Sequence, residues 1–305
     1  MYIKIIGIWN STLNIFLLFL IFSCEKNRVN LDLDLYLKES VFYDKNTNLK
    51  YTGFVNSFYK NGKKKESGQL LNGQKDGLWK YWFASGNKKS EENYINGKSN
   101  GKWILWYENQ NLKLVGEFLN GESHGLRTEW YENGTRKEHG SFKKNKLNGL
   151  WTSWFSNGNK KAEGKYIQGR EDGIHSQWYS NGEIKSKAKF TMGNISGLRT
   201  EWYENGQKKE EGTLKGFWTS WYENGNKKGQ GYYIRQKPEG LHTLWYENGN
   251  KKSEVTFSNG KPNGPSVAWY ANGNKREEGE NKEGNQFGKW IYYNLDGSID
   301  GIDEY

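Results

Sequence analysis

The pentapeptide WYENG stands at 130–134, 202–206, 221–225 and 245–249, with near-copies WFSNG at 154–158, WYSNG at 178–182 and WYANG at 269–273. An enzyme needs a few unlike groups converging on one point, whereas the same residues set down again and again specify a repeated shape. Aligned on the last residue of each copy, the turn positions are Gly62, Gly86, Gln110, Gly134, Gly158, Gly182, Gly206, Gly225, Gly249, Gly273 and Gly297. They are 24 residues apart, except for one step of 19 between Gly206 and Gly225. Such an array grows in one dimension, so its length says little about domain count.

Five other positions recur relative to the turn residue. Gly stands at −9 in every copy, as in Gly77, Gly101, Gly125, Gly149, Gly173 and Gly197. Trp stands at −4 in nine copies: Trp82, Trp106, Trp130, Trp154, Trp178, Trp202, Trp221, Trp245 and Trp269. A basic pair follows at +2 and +3, as in Lys88-Lys89, Lys160-Lys161, Lys208-Lys209, Lys227-Lys228 and Lys251-Lys252. A bulky residue follows at +8, as in Tyr94, Phe118 and Tyr166. A second Gly-rich turn comes after it ("NGQKDG", "NGKSNG", "NGKPNG"), and the short step is this second turn deleted. Asn-Gly between aromatic runs is a strong hairpin signal. A two-residue type I′ loop at Asn133-Gly134 places Gly125 opposite Phe142, and in every copy the −9 Gly opposite the +8 residue. A ring lying across a residue with no side chain then explains the glycine. Alternation puts Leu126, Thr128 and Trp130 on one face and Arg127, Glu129 and Tyr131 on the other, and the first set reads as the inner one.

The unit GxWxxWYENGxKKxEGxYxNGKxxG resembles the MORN-type repeat in its bacterial variant form, typical of YwqK-like proteins often described as antitoxin or immunity components. The resemblance covers residues 41–305. It implies an all-β fold, an elongated single-layer antiparallel sheet of about eleven tandem hairpins. At two strands per repeat such a sheet would run on the order of 100 Å.

The first 23 residues differ. Lys4 is their only charge, and an apolar run from Leu13 to Phe22 ends at Ser23-Cys24, the pattern of a secretory signal. The run is short for a membrane span. Cys24 is the only cysteine of the chain, and "IFSC" resembles a lipobox, which implies lipidation of Cys24 and tethering at a membrane. The expected layout is a lipoprotein signal at 1–23, a tether or cap at 24–40 with alternating Leu31, Leu33, Leu35 and Leu37, and the repeat array at 41–305. Segment 41–53 reads as a degenerate first hairpin. Removal of the signal takes Lys4 from a formal charge of +10, so the exported part stays basic. That favours anionic partners such as lipid headgroups or wall glycans, with nucleic acid disfavoured by export.

No catalytic constellation is legible. His124, His139, His175 and His242 lack metal-ligand spacing, and no glycine pattern opens a phosphate-binding helix. The carboxylates Glu108, Glu132, Glu204, Glu223 and Glu247 recur at −2 and so form no unique pair. The expectation is a non-enzymatic protein without cofactor or metal, at the bacterial cell envelope. It would bind a protein partner through its sheet, in a toxin-neutralising or immunity-like role. The rival reading is a structural protein whose basic pairs hold anionic lipid or glycan.

Overall fold

The computed structural model describes residues 29–305, in which every regular element is a β-strand. Signal, lipobox and Cys24 lie outside the described residues. Two units are distinguished: the described residues up to Thr135 with Phe142–Asn145, and Arg136–Ser141 with Lys146–Tyr305.

In the first unit, Gly53–Phe58, Lys64–Leu71, Gln74–Trp82, Lys88–Ile95, Lys98–Trp106 and Leu112–Leu119 each pair antiparallel with the next, and Gly125–Trp130 closes the series. In the second, the strands from Lys146–Trp154 to Ile299–Glu304 follow the same rule without a crossover. The expected register holds: Gly77 faces Tyr94, Gly101 faces Phe118, Gly149 faces Tyr166 and Gly173 faces Phe190.

The route to that register differs from expectation. At the WYENG turn, the Gly134 amide donates to the Tyr131 carbonyl at 2.9 Å and the Tyr131 amide to the Thr135 carbonyl at 2.8 Å. The loop is therefore three residues long, with Gly134 left-handed at φ 86°, a turn followed by a G1 bulge. This shifts the pairing by one: Trp154 faces Lys160, yet Ser153 faces Ala162. A second bulge, at Lys161, restores the register. The two-residue type I′ loops sit instead at the second turn, where Asn96-Gly97 (φ 48° and 75°) join Ile95 to Lys98.

The −9 glycines also serve another purpose than expected. A side chain built on Gly77, Gly173 or Gly240 would meet nothing within 4 Å, so no ring lies across them. Each has positive φ (70°, 83° and 71°). At Gly173 the pairing shifts by two residues, from Gly164–His175 to Lys165–Asp172. Glycine is used here for the left-handed backbone that the bulge requires.

The division into two faces holds, but the inner and outer assignment does not hold throughout. Of the expected inner set only −6 residues, such as Thr152, Thr200 and Thr243, are buried. The −8 residues, expected inside, are exposed: Leu126 and Leu150 at 60%. The −7 residues, expected outside, include Trp79 at 0% and Trp290 at 4%. The core of the first unit comprises Leu31, Leu35, Val55, Leu70 and Trp79, with Val29, Phe42, Tyr51, Tyr81 and Tyr94 packed against it. Positions −7, −5 and +8 of the first repeats thus meet the segment 29–51, which acts as a cap. Val41–Asp44 pairs with Leu35–Lys38 on one side and on the other folds back on residues 49–51 through a Tyr43–Lys50 bridge, the irregular first hairpin expected of this segment. Of the four alternating leucines, Leu31 and Leu35 are buried while Leu33 and Leu37 are exposed, because residues 31–34 turn rather than extend.

Candidate functional site

The two faces of the sheet have different chemistry. On the face of the −4 tryptophans, the +2 cation of one repeat lies over the Trp of the next. Lys88 sits 5.6 Å from the Trp106 ring, Lys160 5.6 Å from Trp178, Lys208 5.7 Å from Trp221, Lys227 5.5 Å from Trp245 and Lys251 5.6 Å from Trp269. Lys64 and Arg136 do the same over Trp82 and Trp154. Most of these lysines also bind the carboxylate at +5: Lys88–Glu91, Lys160–Glu163 and Lys208–Glu211 at 2.9 Å, and Lys251–Glu254 at 2.7 Å. Lys227 takes the Gln230 oxygen at 3.0 Å. The hydrogen bond from Lys208 holds the Glu211 carboxyl below its usual range. Buried threonines complete the network, Thr200 donating to Glu211 at 3.0 Å. The +3 lysines lie over the −3 ring of their own repeat, Lys89 on Phe83, Lys161 on Phe155, Lys209 on Tyr203, Lys228 on Tyr222 and Lys252 on Tyr246. The candidate anion-binding lysines are thus all laid along the sheet against its own rings and acids.

The pentapeptide ties consecutive repeats together. Tyr246 Oη donates to the Trp269 carbonyl at 2.8 Å, Tyr222 to Trp245 and Tyr179 to Trp202 likewise. The −1 and +1 asparagines donate to the carbonyl at −2 of the next repeat, as Asn224 and Asn226 do to Glu247. The −2 side chains stay at the exposed turn tips. Replacing Tyr246 by Phe deletes one such bond and is expected to lower stability by about 1 kcal/mol, read as a shift in the urea midpoint without change of slope.

The opposite face carries the −7, −5, +4, +6 and +8 positions. Along it a large −7 side chain alternates with a glycine at +6: Trp151 pairs with Gly164, Gly164 with His175, Gly212 with Trp218 and Trp218 with Gly231, and the His242 ring lies against Gly231. A side chain on Gly212 would stand 2.5 Å from the Trp218 ring, and one on Gly164 2.1 Å from His175. Ring-over-glycine packing is therefore real, but at +6 instead of −9. His175 and His242 occupy tryptophan positions. Trp79 Nε1 donates to the Gln69 carbonyl at 3.0 Å, and His175 Nε2 meets the equivalent Lys165 carbonyl at 2.8 Å. Each imidazole sits edge-on between two rings, Tyr166 and Phe190 for His175, Tyr233 and Phe257 for His242. These are packing roles. No cluster of metal-ligating side chains occurs among the described residues.

In the first repeats of the first unit the cap covers this face, and further along it Trp103 and Phe118 are half-buried outside the capped core. In the second unit two open grooves mark it. One, of about 590 Å³, is bordered by Trp151, Tyr166, His175, Phe190, Arg199 and Glu201. The other, of about 440 Å³, is bordered by Glu210, Leu214, Trp218, Tyr233, His242 and Leu244. It falls where the 19-residue step removes the second turn: Thr213 and Lys215 replace an extended strand pair, and Leu214 is 52% exposed. The repeat unit read from the sequence carries Trp at −7 and Gly at +6, but the sequence reading gave neither column a role. The recurrence of Gly68, Gly116, Gly140, Gly164, Gly212, Gly231 and Gly279 at +6 was the available signal.

Seven segments of the chain match the MORN repeat variant: 75–96, 123–144, 147–168, 171–191, 196–215, 216–235 and 238–259. No curated protein matches the chain. Among solved structures, the TcdB2-TccC3-Cdc42 complex is similar at 10% identity over 82% of this chain and 17% of that one, with a TM-score of 0.17. The Tc holotoxin pore of Photorhabdus luminescens is similar at 13% identity over 87% and 17%, also with a TM-score of 0.17. The chain spans less than a fifth of those solved chains, and similarity at this level carries no argument about function.

Proposed function

We propose that this is a non-enzymatic binding protein that receives a protein partner on the −7/−5/+8 face of its second unit. The observation behind this reading is the contrast between the capped first repeats and the second unit. The same columns are buried under residues 29–51 in those repeats and stand open, grooved and lined by aromatic side chains in the second unit. Aromatic walls with a few polar groups suit protein recognition. The toxin-neutralising role and the envelope location follow the repeat resemblance and the lipobox at Cys24. The partner is then one met at the envelope.

Immobilised residues 25–305, exposed to envelope extract at low and moderate salt, should retain one stoichiometric protein that survives moderate salt. Leu244→Glu, placing a charge in the smaller groove, should abolish its capture. Retention of anionic lipid or glycan alone, lost as salt rises, would support the basic-pair reading instead. Separately, Cys24→Ser should release the protein from salt-washed membranes; persistent attachment of that variant would end the lipid-anchor reading.

A further inference from the structure

The second repeat of the first unit contains an aromatic cage filled by its own cation. Lys75 Nζ lies 4.2 Å from the Trp79 ring, 5.0 Å from Tyr81 and 5.5 Å from Tyr94. It donates to Tyr81 Oη at 2.6 Å, with Glu66 3.7 Å away. Tyr94 in turn donates to Glu92 at 2.6 Å. Burial pushes the Lys75 ammonium down from its usual range, while Glu66 and Glu92 pull it back up.

The last repeat contains the same walls. Relative to its turn residue Gly297, Trp290, Tyr292 and Tyr305 hold the positions of Trp79, Tyr81 and Tyr94 relative to Gly86. Trp290 and Tyr292 stack at 6.4 Å and 28°, as Trp79 and Tyr81 do at 6.2 Å and 30°. Trp290 Nε1 donates to the Glu280 carbonyl at 3.0 Å, matching Trp79 to Gln69. Both acids have counterparts. Glu277 pairs with Tyr292 as Glu66 pairs with Tyr81, and Tyr305 donates to Asp303 at 3.4 Å as Tyr94 does to Glu92. The cation alone is missing. The position of Lys75 is taken by Gln286, whose neutral amide donates to Tyr292 Oη at 3.2 Å.

We infer that the walls formed by Trp290, Tyr292 and Tyr305, with Asp303 and Glu277 beside them, are a binding site for an alkylammonium group, such as a lysine or methyl-lysine side chain of another molecule. The ring quadrupoles attract a desolvated cation, most strongly over Trp and Tyr, and the two acids supply the counter-charge. Trp290 is 4% exposed and forms the floor; Tyr305, at 53%, forms the open lip. Tyr292 and Tyr305 share a hydrogen bond of 3.0 Å that closes the rim. Arg276 holds one oxygen of Glu277 at 2.7 Å, so Asp303 is the freer of the two acids. The inference goes beyond the partner-binding reading and does not depend on it, because small cations suffice to test it.

The test is a titration of the full chain, ¹⁵N-labelled at tryptophan, with trimethyl-lysine amide, lysine amide and the neutral neohexyl isostere. The Trp290 indole signal is assigned from Trp290→Phe. The expected result is saturable movement of that signal with the cations, at least tenfold tighter than with the neutral isostere. Gln286→Lys should supply the cation from within, as Lys75 does, and abolish the response. Tyr305→Ala, at the exposed lip, should weaken it without displacing Trp290. An equal response to the neutral isostere, no response at all, or undiminished binding in folded Gln286→Lys would each overturn the inference.

Discussion

Replacing Trp79 by Ala is expected to destabilise the first unit by about 3–5 kcal/mol, the range for removing a large buried ring. Trp79 is fully buried, and its indole holds several parts of the repeat at once. It packs on Gly68, stacks with Tyr81 at 6.2 Å, carries Lys75 at 4.2 Å and hydrogen-bonds the Gln69 carbonyl. Its loss also leaves Lys75 desolvated with less compensation, and undermines the seat of Leu31 and Leu35 in the cap. Thermal unfolding followed by limited proteolysis checks this. The variant should be cleaved first within residues 29–51, while fragments of the second unit persist. Unchanged stability would mean that the cap is not held by this ring.

Two glycines of the second unit should respond in opposite ways to the same substitutions. Gly212 has no special backbone conformation but lies against Trp218, so any side chain there must displace a ring at 2.5 Å. Gly240 faces open space but has φ 71°. Gly212→Ala is expected to cost about 1–3 kcal/mol by overpacking, and Gly212→Asn more. Gly240→Ala is expected to cost about 1–2 kcal/mol through left-handed strain. Gly240→Asn should recover much of that, because Asn tolerates the left-handed region. Denaturant melts of the four variants decide it. Rescue by Asn at Gly212, or no rescue at Gly240, would show that the two roles have been exchanged.

Periodicity made the hairpins legible, together with the pairing of Gly101, Gly149 and Gly173 with the +8 residue. It did so because two irregularities cancel. The three-residue loop ending at Gly158 shifts the pairing by one, and the bulge at Lys161 shifts it back. Simple counting from Asn-Gly passes over both. The face assignment failed for another reason. Alternation grouped the residues correctly but does not say which side is inner, and Leu150 is 60% exposed while Trp151 lies over Gly140. The basic pairs were legible as a pattern but not as a function. Their engagement with Trp178, Phe155 and Glu163 depends on neighbours one strand away. The cage of Lys75 was hidden because its members lie in three strands, and because its likeness to the last repeat rests on positions outside the pentapeptide.

Site-specific photocrosslinking in the native envelope reads directly which face of the second unit meets a partner. A photoreactive phenylalanine analogue at Leu244 lies in the smaller groove, and the same analogue at Leu150 lies on the opposite face with comparable or greater exposure (46% against 60%). The predicted result is one discrete protein adduct from position 244 and none from position 150. Adducts from position 150 alone would place the contact on the tryptophan–lysine face and contradict the account.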